Sequence, residues 1–312
     1  MGRLGTFDPP GMLVDVNGMQ VHLHSYGERP YAAPVVICDS GLSGSSLDWV
    51  RVLPALRTQS IAYDRPGHGW SDPPNSKREP QRLVAELRTA LDRAGIEPPY
   101  VMVGHSMGAM NMRLFAEAYH DDVTGLVLLD PAHIEMFARL PDLVRRLERS
   151  SRRMRRVFAL VARLGGGALL ANLTPETVNL LPDEAPQQIR AMHKRAAFWS
   201  TVVAERQMAA RHYVRRPAAV SDDLGELPLT VVSAGASFDT GAIPASEGLM
   251  PSTSVEEISE TWRELQAETA QLSTQSTHIT LEGANHLTML YDEYFSAQVA
   301  GAINALVAAV QV

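Results

Sequence analysis

Short, almost unbroken apolar runs recur along the first 130 residues and again after residue 228, with amphipathic stretches between them. Residues 35–38, 60–63, 100–103 and 126–129 are such runs, and 229–232 and 278–281 follow late in the chain. A run that does not alternate belongs to a strand covered on both faces, which is the habit of parallel sheets. Between the runs, Leu83, Leu87, Leu91 and Ala94 fall on one helical face, and residues 46–56 and the C-terminal stretch also read as helices. Near the start, residues 12–16 and 19–25 flank Asn17-Gly18, a two-residue hairpin signal. Strands alternating with helices predict an α/β fold with a mostly parallel sheet and helices on both faces.

The alternation stops after residue 132 and resumes near residue 224. Val144, Leu147, Ser151, Met154 and Phe158 repeat at helical spacing, Gly165-Gly166-Gly167 breaks the stripe, and further helical segments run through about 185–209. The expected organisation is therefore one core made of residues 1–132 and 224–312, interrupted by a helical insertion, 133–223. Arg145, Arg146, Arg149, Arg152, Arg153, Arg155 and Arg156 give the first inserted helix a basic face. The plain reading is a solvated face; the sharper one is attraction to anionic substrates or a lipid surface. Met192, Phe198 and Trp199 either line an apolar pocket or pack within the insertion.

The chemistry concentrates at Gly104-His105-Ser106-Met107-Gly108. The pattern G-x-S-x-G gains a mechanism here because a strand precedes it and a helix follows. The turn between them lifts the serine oxygen clear of the sheet and aims a helix N-terminus at the reaction centre. Such a serine needs a base, and His286 stands on a loop just past the strand at 278–281. It also needs N–H donors for an oxyanion. Met107, directly after the serine, supplies one, and the loop Asp39-Ser40-Gly41-Leu42, after the strand at 35–38, offers the N–H of Leu42 as the other.

With these landmarks in order, the chain resembles the α/β-hydrolase superfamily over nearly its whole length. It is most similar to esterase-like and prolyl-aminopeptidase-like members carrying Tyr-Asp-Arg-Pro-Gly-His-Gly, here Tyr63 to Gly69. The resemblance implies an eight-stranded sheet, a lid formed by the insertion, and a Ser-His-Asp triad. One departure is that the His-Gly pair of many members is Ser40-Gly41 here. The triad acid has two candidate places in this fold. Asp130 closes the apolar strand after the nucleophile helix; Asp239 follows the strand at 229–232 but stands one residue late for Gly-x-x-Asp. Asp130 is favoured because its strand end defines its position. His105 is read as packing locally and His68 as a structural turn residue.

The remaining features narrow the classes. A net charge of −7 argues against nucleic acid as a partner. The single cysteine, Cys38, allows no intrachain disulfide and reads as buried and inert. No apolar run reaches the ~18 residues of a membrane span, and no secretory leader pattern opens the chain, so a cytoplasmic protein without stable membrane insertion is expected. The histidines show no metal-ligand spacing, and the glycines match no phosphate or dinucleotide fingerprint; neither metal nor cofactor is expected. The expected partner is a small-molecule acyl substrate, with a carboxylic ester as the default. Amide or aminopeptide, lactone and C–C bond hydrolysis use the same groups. A non-catalytic small-molecule-binding relative is the alternative from another class.

Overall fold

The computed structural model describes residues 4, 7–140, 153–214, 221–236 and 252–311. Eight strands form one sheet: β1 (Met12–Val16), β2 (Met19–Tyr26), β3 (Val35–Asp39), β4 (Ser60–Tyr63), β5 (Tyr100–His105), β6 (Val123–Leu129), β7 (Leu229–Ala234) and β8 (Ser276–Leu281). Their spatial order is β1-β2-β4-β3-β5-β6-β7-β8. The β1–β2 and β2–β4 pairs are antiparallel and all others parallel. The order reverses at β3: the chain goes first to β4 on one side and then crosses to β5 on the other. The carboxyl ends of β3 and β5 therefore open onto a switch point, where ligands of open α/β sheets bind.

The central strands β3 to β7 are buried on both faces, which accounts for their unbroken apolar runs; β8, at one edge, is largely exposed, so residues 278–281 are not the doubly covered run that their sequence suggests. Val36, Cys38, Val101, Val103, Val127 and Val232 belong to one core, and Val35, Ile37, Met102, Leu126, Leu128 and Val231 to the other. Successive residues of one strand serve opposite layers. Helix α1 (Pro80–Arg93) and helix α2 (Met107–Ala118) cover the second face through Val84, Leu87, Leu91, Met112 and Phe115. The C-terminal helix, Glu293–Val310, covers the first through Val299, Ile303 and Leu306. Residues 46–56 are not a continuous helix. They form two 3-10 turns, Ser46–Trp49 and Leu53–Ala55, because Pro54 cannot donate the amide that an α-helix would need there.

The described residues between β6 and β7 form helices and turns. They comprise α3 (Met136–Arg139), α4 (153–161), α5 (Gly167–Ala171), α6 (Ala185–His193) and α7 (Ala196–Ala209). The path breaks at Gly165, whose φ of 91° leaves the helical region for one that glycine tolerates without penalty. Val144, Leu147 and Ser151 of the expected stripe, with Arg145, Arg146, Arg149 and Arg152, lie outside the described residues. The stripe's Phe158 packs edge-on against Trp199, with ring centroids 5.2 Å apart. After β7 come α8 (Ser252–Ala270), α9 (Thr288–Tyr291) and the C-terminal helix α10. Among the described residues no helix is long and apolar enough to cross a membrane.

Candidate active site

Ser106 occupies the single residue between β5 and α2, with φ 54° and ψ −118°. A non-glycine residue in that region is strained and persists only where its surroundings over-determine it. Here the Ser106 N–H donates to the Leu129 carbonyl at 3.0 Å, and its carbonyl accepts from Ala109 at 3.2 Å and Ala132 at 3.0 Å. Two glycines make the turn possible. A Cβ on Gly104 would stand 2.4 Å from Ala109 Cα, and one on Gly108 2.3 Å from the Asp39 carbonyl oxygen.

Pairing Leu129 with both His105 and Val232 sets the next residue, Asp130, beside the elbow. One carboxylate oxygen of Asp130, Oδ2, meets His286 Nδ1 at 2.6 Å. The other accepts from the Trp262 indole at 2.9 Å and the Ala234 amide at 3.2 Å. Burial pushes the Asp130 carboxyl up, but the hydrogen bonds and charge of His286, with Trp262 and Ala234, hold it net below its ordinary value. Asp130 is therefore ionised, and with Nδ1 engaged, His286 has Nε2 left for the cavity it lines together with Ser106. Asp239, the other candidate acid, lies outside the described residues.

His105 does more than pack locally. Its ring centroid is 4.5 Å from that of His286, and its Nε2 is 2.9 Å from the His286 carbonyl oxygen. A carbonyl only accepts, so Nε2 carries the proton. Burial, reinforced by the neighbouring His286, depresses His105 to about 3, which keeps it a neutral donor.

The loop after β3 packs against this turn: a Cβ on Gly41 would lie 3.1 Å from both Ser106 Cβ and His105 Nδ1. Ser40 braces the loop. Its hydroxyl donates to the Ser45 carbonyl at 2.7 Å and accepts from the Trp49 indole at 2.8 Å. Leu42 and Met107 both line the cavity, and neither amide donates a hydrogen bond among the described residues. Beneath the loop Arg65 is buried against Asp39 and Glu205.

A family model described as the alpha/beta hydrolase fold matches residues 34–195, which include the β3 loop, the elbow and Asp130. The chain belongs to the alpha/beta hydrolase fold family. Over 109 residues it is 40% identical to a protein named putative carbamate hydrolase RutD from Escherichia coli O103:H2, a match covering 33% of this chain and 40% of that protein. Over 111 residues it is 32% identical to an uncharacterized protein, YqjL, of Bacillus subtilis, covering 35% of this chain and 44% of the other. These matches span less than half the length of either relative. Among solved structures, a thermophilic esterase from Thermogutta terrifontis superposes with a TM-score of 0.62 at 19% identity, covering 96% of this chain and 97% of that one. An enol-lactonase from Burkholderia xenovorans LB400 does so with a TM-score of 0.62 at 20% identity, covering 94% and 98%. At such identities the likeness establishes the hydrolase fold.

The hydrolase-fold cavity has a volume of about 450 Å³. Its walls are largely apolar: Met107, Met110, Leu140, Met192, Phe198 and Trp199 all face it, as do Arg155, Arg206 and Arg263. Met192, Phe198 and Trp199 thus line the pocket that the sequence raised as one of two possibilities. His193, also in the wall, is depressed to about 4 by burial, with the charges of His68 and Arg190 adding to the effect. Asp48 reaches the wall too, accepting from Tyr291 Oη at 2.8 Å and Ser45 N at 3.1 Å. His68 is fully buried under the turn, 3.1 Å from Glu205 Oε2. Cys38 is buried and unpaired, and burial raises its thiol well above the usual range. Among the described residues no group of three or more metal-ligating side chains occurs. Trp262, Arg65 and Glu205 escaped the sequence reading. Arg65 stood inside the quoted Asp-Arg-Pro-Gly-His-Gly segment, whereas no local signal marks the other two.

Proposed function

We propose that the protein is a serine hydrolase cleaving a carboxylic ester through an acyl-enzyme. The observation that carries this reading is the strained Ser106 on the same cavity as a histidine whose Nδ1 is held by a buried carboxylate at 2.6 Å. His286 Nε2 takes the Ser106 proton as Oγ attacks the acyl carbon. The alkoxide of the tetrahedral intermediate faces the N–H groups of Leu42 and Met107. His286 then protonates the leaving alcohol, and water repeats the sequence on the acyl-enzyme to release the acid. Asp130 keeps the imidazole in the productive tautomer and stabilises the imidazolium. The apolar walls favour an apolar acyl or alcohol group, and residues 133–223 act as the lid that supplies part of those walls and excludes water.

The test is labelling with a fluorophosphonate probe, peptide mapping of the modified residue, and turnover of a p-nitrophenyl ester panel that includes a carbamate. Ser106 should be the labelled residue, and Ser106→Ala should lose several orders of magnitude in kcat. A folded wild-type protein that neither labels nor turns over any ester would replace this reading with a ligand-binding role on the same scaffold.

A further inference from the structure

Resting on the hydrolase reading above, we propose that Arg65 and Glu205 are positioning residues for the oxyanion-binding N–H of Leu42. Glu205 comes from α7, so the inserted helices take part in setting the catalytic geometry.

The Gly41 carbonyl and the Leu42 N–H belong to the same planar trans peptide and point in opposite directions. Arg65 Nη2 donates to the Gly41 carbonyl oxygen at 2.7 Å, and Nη1 donates to the Ser40 carbonyl oxygen at 2.7 Å. The Gly41 oxygen also accepts from the Gly44 N–H at 3.0 Å; with it held on that side, the Leu42 N–H of the same peptide points the opposite way, and Leu42 lines the cavity beside Ser106. The following amide is anchored as well: the Ser43 N–H donates to Glu205 Oε2 at 3.1 Å. Ser43 has a φ of 62°, a conformation that needs such an anchor. The Leu42 amide is thus bracketed on both sides by one ion pair, Arg65 Nε to Glu205 Oε1 at 2.8 Å.

The pair has no slack. A guanidinium has five N–H donors, and Arg65 directs them to Glu205 twice, Asp39, Ser40 and Gly41. Glu205 is fully buried and also accepts from His68 Nε2 at 3.1 Å and Arg78 Nη1 at 3.3 Å. Two carboxylates, Asp39 and Glu205, balance two guanidinium groups, Arg65 and Arg78. A buried pair of this kind contributes little net stability; what it provides is a fixed direction. A cation on the carbonyl end of the Gly41-Leu42 peptide also polarises that peptide, strengthening its N–H as a donor.

A role confined to packing would leave the binding of a transition-state mimic untouched once the folded fraction is counted. The experiment therefore compares wild type, Glu205→Gln and Arg65→Lys. It measures kcat and KM on the best ester, active sites by fluorophosphonate titration, and the Ki of a trifluoromethyl ketone whose hemiketal oxygen occupies the oxyanion position. The proposal expects kcat per titrated site to fall roughly 10- to 100-fold, Ki to rise by a similar factor, and KM to stay within about twofold. Arg65→Lys keeps the charge but cannot reach all five acceptors, so it decides the matter if Glu205→Gln does not fold. Wild-type Ki and kcat per titrated site in the folded variants would overturn the proposal. Failure of the hydrolase reading looks different: the wild type itself would show no labelling or turnover dependent on Ser106.

Discussion

The Trp262 indole N–H meets Asp130 on the carboxylate oxygen that His286 leaves free, at 2.9 Å. The carboxylate is consequently fixed from both ends, with the Ala234 amide beside the indole. Trp262 also stands edge-on to the His286 ring, with centroids 6.2 Å apart. Trp262→Phe keeps most of that ring contact and removes the donor. A hydrogen bond to a charged group is worth about 1.5–3 kcal/mol, and part of that will be recovered by water. We expect kcat to drop by roughly tenfold with KM nearly unchanged. Steady-state kinetics on the best ester would show it; an unaltered kcat would mean that His286 and Ala234 suffice to orient the acid.

The elbow makes a second demand, on volume. Gly108→Ala forces a methyl to within 2.3 Å of the Asp39 carbonyl oxygen, and Gly104→Ala forces one to within 2.4 Å of Ala109 Cα. Both obstacles are backbone and cannot swing aside. Gly95→Ala is the contrast: its Cβ would meet nothing within 4 Å, and only its φ of 71° opposes the change. Overpacking costs about 1–3 kcal/mol or more, and αL strain at a non-glycine about 1–2. Urea unfolding should rank both elbow variants below Gly95→Ala, and elbow variants as stable as Gly95→Ala would contradict the tight turn described.

Asp48 makes stability depend on pH in a defined sense. Burial raises its carboxyl to about 6, against hydrogen bonds from Tyr291 and Ser45 that oppose the rise. A raised folded-state value means that the folded chain gains a proton as pH falls through about 6, while the unfolded chain waits until near its ordinary 3.8. The contribution is therefore fully present only below about 3.8, largely present at pH 4, and lost as pH rises through 6. Asp48→Asn lacks this proton uptake. The stability of wild type relative to that variant should grow by about 2–3 kcal/mol between pH 7 and pH 4. Denaturation curves at four pH values decide it, and a difference constant with pH would refute the linkage.

Much of the sheet was legible because its central strands are buried on both faces. Unbroken apolar runs at 60–63 and 126–129 have no other economical home, and Asp130, which meets His286, stands at the end of one of them. The elbow was legible because its glycines are required by local sterics. Residues 46–56 were misread because composition alone does not show how Pro54 divides them into two short turns. Contacts set by topology left no sequence signal. Trp262 lies 132 residues from Asp130 and Glu205 140 from Arg65; only the strand order and the path of the inserted helices bring them together. The bond from His105 to the His286 carbonyl is likewise invisible, because its acceptor is main chain that every residue possesses.

Glu205 finally bears on how far this scaffold can be rebuilt. Trading the helices between β6 and β7 for those of another member is a natural way to seek new substrates. Here the exchange would remove Glu205 and leave Asp39 as the one carboxylate against two buried guanidinium groups, Arg65 and Arg78, and uncompensated buried charge costs about 3–5 kcal/mol. Recipient and donor segments would have to be matched at this carboxylate before any specificity could be transplanted.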